Sequence, residues 1–205
     1  MIQKRTLIAV LLTVSMALSG CSALTGEGAT YVSENVGVDE STVSQTEFTL
    51  EREEWQNRSR DVTVAGEERT INVSTYVRAY TWGEDEAAFA VLATPQISVA
   101  NQSMNPIADM SNEELIERLQ SRFEGQGDLK DLDRAGEYTV EAVGEERTVA
   151  VFSATAVRGE QQADVLIHVT KFENGADIVL GAAVQPESAP EVRSDVEAMF
   201  EGIDH

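Results

Sequence analysis

Stretches that alternate apolar and polar residues, separated by short glycine turns, constrain this chain most. Residues 48–64 alternate loosely and run into a turn at 65–68, and in residues 69–82 apolar side chains recur at every second position. That period is typical of a half-buried β-strand, and two such strands joined by a short glycine turn form a hairpin. This part of the sequence therefore predicts a long β-hairpin.

The second half of the chain repeats this plan. Residues 137–157 alternate on both sides of a turn at Gly144, and residues 163–184 do so around Gly175, so two further hairpins are predicted. Residues 87–94, "AAFAVLAT", are apolar on both faces, which is typical of an interior strand. Strands joined by short turns predict an antiparallel sheet.

Two amphipathic helices are also predicted. Residues 111–114, "SNEE", match a capping box, and the helix that follows carries Leu115, Leu119 and Phe123 on one face. The fold class predicted from these patterns is α+β, an antiparallel sheet built from hairpins with two main amphipathic helices packed on it. The second helix carries an apolar stripe of Val192, Val196, Met199, Phe200 and Ile203.

Short strings recur in register along the chain. "GEERT" begins at both Gly66 and Gly144, and "FEG" begins at both Phe123 and Phe200. These matches suggest an internal duplication with repeats at 61–125 and 138–202, whereas chance repetition in a chain rich in glutamate and valine is the alternative. In either case residues 31–205 have the length and apolar content of a single domain.

The N-terminal segment is typical of an export signal. Lys4 and Arg5 precede an apolar run at residues 7–18, and a run of about 10–14 residues suits a signal peptide better than a membrane span. Residues 1–20 are therefore predicted to be a signal peptide. The only cysteine of the chain, Cys21, follows it directly and has no disulfide partner within the chain.

The residues before this cysteine identify its role. Leu18, Ser19, Gly20 and Cys21 resemble the lipobox of bacterial and archaeal lipoproteins, which implies that a lipid alkylates the Cys21 sulfur at the mature N-terminus. Residues 21–30 would then form the lipidated cysteine and a flexible tether, whose nine residues reach at most about 30 Å. The predicted location is the extracytoplasmic face of the cell membrane. An ordinary signal peptide ending near an incidental cysteine is the alternative.

Charge excludes one class of partner and indicates a habitat. The whole chain has a net charge of −21, and without Lys4 and Arg5 the mature part has 13 basic residues against 36 acidic ones. Nucleic acid is therefore disfavoured, because binding it requires positive patches. Dispersed acidic charge is typical of a halophilic protein, since high salt screens the self-repulsion; an acidic protein of ordinary habitat is the alternative.

A family resemblance supports the same location. The lipobox, the segment "VLATPQISVANQSMNPIADMSNEELIERLQSRF" at 91–123, and the C-terminal strings "LIHVT" and "MFEGIDH" resemble an uncharacterised family of haloarchaeal membrane lipoproteins. The resemblance spans nearly the entire chain. It implies a surface-anchored protein without an established activity, substrate or catalytic residue. Relatives begin with a paired arginine suited to export in the folded state; here the pair is Lys4 and Arg5, so the export route stays open.

Signals for catalysis are weak. His168 lies between apolar residues of a predicted strand, which favours a satisfied or half-exposed strand histidine, and His205 is at the C-terminal end of the sequence. The serines are not in a nucleophile elbow, so we predict no enzyme activity and no cofactor. Acidic residues at 84–86 and in a predicted loop at 128–133 do not match a calcium-binding loop, so we predict solvated charge and no metal.

Two surface features remain. N-glycosylation sequons occur at Asn57, Asn72 and Asn101, and because Asn72 lies in a predicted strand, Asn57 and Asn101 are the better candidates. Tyr76, Tyr80 and Trp82 share one face of a predicted strand, which favours a cover for the core over an exposed aromatic binding surface.

Together these features predict a lipid-anchored binding or interaction module without catalytic activity, whose protein or ligand partner is unknown. A carrier for an apolar ligand such as lipid is the main alternative, and a pocket between sheet and helices would favour it. A hydrolase is a third hypothesis, which a concave site with His168 beside a carboxylate would favour.

Overall fold

The fold is known from a computed structural model, which describes residues 29–64, 66–83, 86–99, 102–103, 105–122, 128–158 and 161–205. The predicted signal peptide, the lipobox with Cys21, most of the tether and Asn101 lie outside these ranges.

Most of the described residues belong to β-strands. Their bounds are β1 (Ala29–Val32), β2 (Gly37–Val38), β3 (Phe48–Val64), β4 (Glu67–Trp82), β5 (Ala87–Pro95), β6 (Ser98–Val99), β7 (Gln102–Ser103), β8 (Asp128–Ala142), β9 (Glu145–Arg158), β10 (Gln161–Asn174), β11 (Asp177–Pro186) and β12 (Ile203–Asp204).

Eight of these strands form one sheet. Its order is β1-β4-β5-β11-β10-β9-β8, with β3 also paired to β4. Since β3 occupies one edge of β4 along its length, the other edge is shared: β1 pairs with residues 71–74 in parallel, and β5 pairs with residues 76–82 antiparallel. Two small sheets, β12-β2 and β6-β7, complete the strand pairing of the described residues.

Three helices accompany the sheet in the described part of the chain. They are α1 (Glu40–Gln45), α2 (Asn112–Arg122) and α3 (Pro190–Glu201). None of them is both long enough and apolar enough to cross a bilayer.

The three predicted hairpins are confirmed. β3 pairs with β4, β8 with β9, and β10 with β11, all antiparallel. Their turns contain Gly66, Gly144 and Gly175, whose φ angles of 88°, 70° and 58° lie in the left-handed region that favours glycine. Local turn chemistry therefore set where each strand reverses.

The predicted fold class is wrong. The protein is mostly β, a large mixed sheet with three short helices, and not a sheet with two main helices packed on it. The strands of the hairpins are 14 to 17 residues long, apart from β11 with ten, whereas α2 and α3 have 11 and 12 residues. The sheet is mixed because β1 runs parallel to β4.

Two apolar clusters lie on the sheet, one for each of the longer helices. The α3 cluster contains Phe48, Phe89 and Val179 from the sheet, together with the predicted apolar stripe, which is buried. The last residue of that stripe, Ile203, was predicted to be helical but lies in β12. The α2 cluster joins Leu115 and Ile116 of α2 to apolar residues of β9 and β10, including Phe152 and Ile167. Neighbouring strand residues point to opposite faces of a sheet, so β9 and β10 supply side chains to both clusters.

Two local predictions were right and one was wrong. The capping box is formed, because Ser111 Oγ accepts from the Glu114 amide at 3.2 Å and the Glu114 carboxylate accepts from the Ser111 amide at 2.7 Å. Tyr76 and Tyr80 are buried in the α3 cluster and Trp82 packs against it, so this face covers the core. Residues 128–133, predicted as a loop, belong to the edge strand β8.

Candidate functional site

A polar groove lies between α1 and α3. Its volume is about 310 Å³. Three carboxylates line it, together with two threonines and a glutamine that can both donate and accept hydrogen bonds, so it suits a polar ligand that donates hydrogen bonds to carboxylates. Its lining residues are Asp39, Thr42, Gln45, Thr46, Asp195, Ala198, Glu201 and Gly202.

One of the groove carboxylates already has a structural role. Asp195 Oδ2 accepts hydrogen bonds from Trp82 Nε1 at 2.8 Å and from the Glu47 amide at 3.1 Å. These bonds join α3 to the start of β3 and the end of β4. None of the groove residues was predicted from the sequence, because they come together only when α1 and α3 pack beside each other.

His168 lies in the core beneath α3. Its side chain is fully buried, its Nδ1 atom is 3.1 Å from the Tyr138 hydroxyl, and its ring packs near Phe200 at a centroid distance of 6.4 Å. The other ring nitrogen, Nε2, has no hydrogen-bond partner in the protein. This geometry is that of a core histidine with one ring nitrogen paired to a tyrosine hydroxyl.

Burial changes the acid–base properties of this pair. Burial and, to a smaller extent, the Arg193 guanidinium lower the pKa of His168 to about 4, while Glu197 acts in the opposite direction. Burial likewise raises the pKa of Tyr138. Both side chains are therefore neutral at pH 7, and His168 is poorly suited to act as a base near neutrality.

His205 forms a second polar assembly, at one end of the sheet. Its Nε2 atom lies 3.1 Å from Asp177 Oδ2, and its Nδ1 atom lies 2.8 Å from the side-chain nitrogen Nδ2 of Asn174. Asp177 Oδ2 also accepts from the Glu34 amide at 2.7 Å. We call His205, Asp177, Asn174 and the Glu34 amide the terminal latch, because it ties the segments around β2 and β12 to the turn between β10 and β11.

The latch is expected to contribute to stability. Asp177 is 2 % exposed, so replacing it by alanine leaves the Glu34 amide and the His205 ring without their acceptor. The expected loss in the free energy of unfolding is about 2–3 kcal/mol, the usual effect of leaving buried donors unpaired. Urea unfolding measures it.

Asp204→Ala provides the control for this prediction. Asp204 is an exposed carboxylate in the adjoining strand β12, and its loss should change the free energy of unfolding by less than about 0.5 kcal/mol. Equal effects of Asp177→Ala and Asp204→Ala would contradict a structural role for the latch.

Lys171 is a structural residue that sequence reasoning missed. Its ammonium group donates to the carbonyl oxygens of Ile107 at 3.1 Å, Ala108 at 2.8 Å and Met110 at 2.6 Å. These carbonyls belong to the segment that leads into α2. No sequence signal pointed to this contact, because Lys171 and its partners are more than 60 residues apart.

Other predicted positions are dispersed. Asn57 is exposed on β3, and its side-chain oxygen accepts from Ser74 Oγ at 2.7 Å. Asn72 lies directly across the hairpin from Ser59, confirming its position in a strand.

Among the described residues, histidine, cysteine and acidic side chains do not gather in groups of three that could hold a metal ion.

Comparisons with known proteins give a family but no activity. No curated protein matches the chain. The solution structure of cyanobacterial PsbP (CyanoP) from Synechocystis sp. PCC 6803 is similar, with 10% identity and a TM-score of 0.36, covering 92% of this chain and 98% of that chain. The crystal structure of PA94, a protein of unknown function from Pseudomonas aeruginosa, is similar with 10% identity and a TM-score of 0.30, covering 76% of this chain and 94% of that one.

The sequence pattern of the family described as a domain of unknown function, DUF6517, matches residues 35–204. This range contains the strands from β2 to β12, both apolar clusters and the groove between α1 and α3. The chain therefore belongs to the DUF6517 family, an uncharacterised family.

Proposed function

We propose that this DUF6517 protein is a lipid-anchored protein of the extracytoplasmic membrane face, of haloarchaeal type, that acts as a binding or interaction module and not as an enzyme. The observation that carries the anchor is the lipobox, in which the only cysteine of the chain, Cys21, directly follows Leu18-Ser19-Gly20. An apolar signal region precedes it, as export requires.

The engagement of both histidines supports a function without catalysis. His168 is fully buried under α3, and both ring nitrogens of His205 lie within hydrogen-bond distance of partners. A general base must be able to reach a substrate proton, and neither ring can do so in this arrangement.

The packing under α3 counts against a carrier with an apolar cavity there. A Cβ atom added at Gly181 would lie 3.0 Å from Phe200 and 3.1 Å from Ile203, so helix and sheet are already in close contact. The groove beside α3 is lined mainly by polar groups and does not suit a lipid chain.

The anchor is tested by the mass of the N-terminal peptide and by membrane fractionation. The mature protein should begin at Cys21 with a lipid on its sulfur. Cys21→Ser should lose that modification, because serine has no sulfur for the lipid to alkylate, and should shift from the membrane fraction to the soluble fraction.

Ser22→Ala is the matched control, since it changes the neighbouring residue and keeps the sulfur. It should stay with the membranes and carry the lipid. An unmodified N-terminal peptide that continues upstream of Cys21 in the native protein would contradict the proposal.

A further inference from the structure

The outer part of the β3–β4 hairpin differs in charge from the rest of the protein. We call residues 57–64 and 67–74 the distal hairpin. They lie on the turn side of Tyr76, the first residue of β4 that pairs with β5. The distal hairpin has three basic and three acidic residues. The remainder of the mature chain has ten basic residues against 33 acidic ones, so this hairpin is a neutral extension of a strongly acidic body.

The two faces of the distal hairpin also differ. On one face, three cross-strand pairs are joined by side-chain hydrogen bonds of 2.7 Å each. On the other face, Arg58 and Arg60 are both exposed and lie opposite Val73 and Ile71, while Arg69 lies opposite Val62. We call this second face the arginine face. The hydrogen-bonded pairs of the first face are Asn57–Ser74, Ser59–Asn72 and Asp61–Thr70.

The register of β1 shows from which side the N-terminal segment enters the sheet. β1 runs parallel to β4, with Ala29 opposite Ile71 and Val32 opposite Ser74. The N-terminal end of β1, Ala29, therefore lies on the side of the hairpin turn at Glu67, and its C-terminal end, Val32, lies toward Tyr76. The eight peptide units between Cys21 and Ala29 span at most about 27 Å.

The hairpin extends far beyond its neighbours at this end. From Tyr76 back to Glu67, β4 continues for nine residues, about 30 Å at the rise of a strand. β1 accompanies it over residues 71–74 only. The extension exceeds the Debye length both at physiological salt, about 8 Å, and at 1 M salt, about 3 Å, so it can separate an acidic body from a charged surface.

We propose that the arginine face of the distal hairpin docks on the lipid headgroups of the membrane that holds Cys21. This inference rests on the proposed lipid anchor. The guanidinium groups of Arg58 and Arg60 are exposed and match phosphate oxygens in geometry and charge, whereas Ile71, opposite Arg60, is buried. The acidic body then faces away from the membrane.

The test measures the distance of two sites from the lipid surface. In the lipidated protein the Cys21 sulfur is consumed, so Thr63→Cys and Glu187→Cys each introduce a free thiol for a spin label. Thr63 is exposed near the hairpin turn. Glu187 is exposed directly after β11, at the opposite end of the sheet, because Val184 pairs with Ala88 at the start of β5.

The labelled proteins are placed in phosphatidylglycerol and phosphatidylcholine vesicles that contain a nickel-chelating lipid. Relaxation of the label by nickel should be several-fold stronger at position 63 than at position 187. In the Arg58→Gln/Arg60→Gln variant, the ratio of docked to undocked protein should fall by about thirtyfold, from the usual contribution of two basic side chains near an anionic surface. The relaxation by nickel at position 63 should then approach that at position 187.

Arg134→Gln/Arg193→Gln is the matched control. It removes the same charge from the body of the domain and should leave the signal at position 63 unchanged. Equal relaxation at both sites, or stronger relaxation at position 187, in a protein whose N-terminal peptide carries the lipid would overturn the docking and leave the anchor intact. A protein without lipid on Cys21 would overturn both proposals, so the mass of that peptide separates the two failures.

Discussion

Replacing Lys171 by methionine is expected to lower the free energy of unfolding by about 3–4 kcal/mol, because three charge-assisted hydrogen bonds are lost together. Methionine retains an apolar stem of similar length but donates no hydrogen bond. The carbonyl oxygens of Ile107, Ala108 and Met110 then lose the ammonium group that gathers them. Urea unfolding measures the change.

The effect should also be local. The three carbonyls belong to the segment before α2, whose Leu115 and Ile116 pack in the α2 cluster. Hydrogen exchange of the amides in residues 107–118 should therefore become faster in Lys171→Met. Exchange in α3 should change only as much as the fall in the free energy of global unfolding requires.

Lys130 gives a matched control. It is the only other lysine outside the predicted signal peptide, and it is exposed on the edge strand β8. Lys130→Met should change the free energy of unfolding by less than about 0.5 kcal/mol. If Lys171→Met lowered the free energy of unfolding by no more than Lys130→Met does, the contact with the three carbonyls would not contribute to stability.

Acidification is expected to destabilise the fold through His168. Its pKa is about 4 in the folded protein against 6.5 for an ordinary histidine, so between these values the unfolded chain binds more protons than the folded one. Stability is therefore fully present above about pH 6.5 and is lost as the pH falls toward 4. The difference in pKa corresponds to a loss of about 3 kcal/mol.

His168→Gln isolates this contribution. Glutamine does not titrate, yet its side-chain oxygen can still accept a hydrogen bond from the Tyr138 hydroxyl. Between pH 7 and about 4.5, the variant should lose about 2 kcal/mol less free energy of unfolding than the natural protein. The many surface carboxylates titrate in both proteins, so the comparison removes their effect.

A second measurement does not depend on how well the variant folds. The chain has two histidines, so their ring protons can be followed by NMR in the natural protein. The midpoint for His168 should lie near pH 4, and a midpoint near 6.5 would contradict the effect of burial.

Much of the local structure could be predicted from the sequence. The capping box at Ser111 and Glu114 formed because its groups are three residues apart, and the hairpin turns formed where Gly66, Gly144 and Gly175 permit a positive φ. These features depend on neighbours along the chain. The predicted internal duplication, the signal peptide and the lipid anchor stay predictions.

The polar sites could not be predicted in this way. His168 was expected to be a satisfied or half-exposed strand histidine. It is a strand residue but fully buried, its Nε2 atom has no hydrogen-bond partner among the described residues, and its partner Tyr138 is 30 residues away on another strand. The latch joins Asp177 to the Glu34 amide over 143 residues. Residue type alone did not distinguish these side chains from the many solvated polar groups of the chain.

The sequence by itself determined the hairpins, the helix start at Ser111 and the stripe that α3 buries, because each follows from a short-range period or a backbone preference. Only the tertiary structure decided that β5 lies beside β11, that β1 joins β4 in parallel, and that strands rather than helices dominate. The physical reason is that such pairings are chosen by the burial of whole faces of the sheet, which involves residues far apart in the chain.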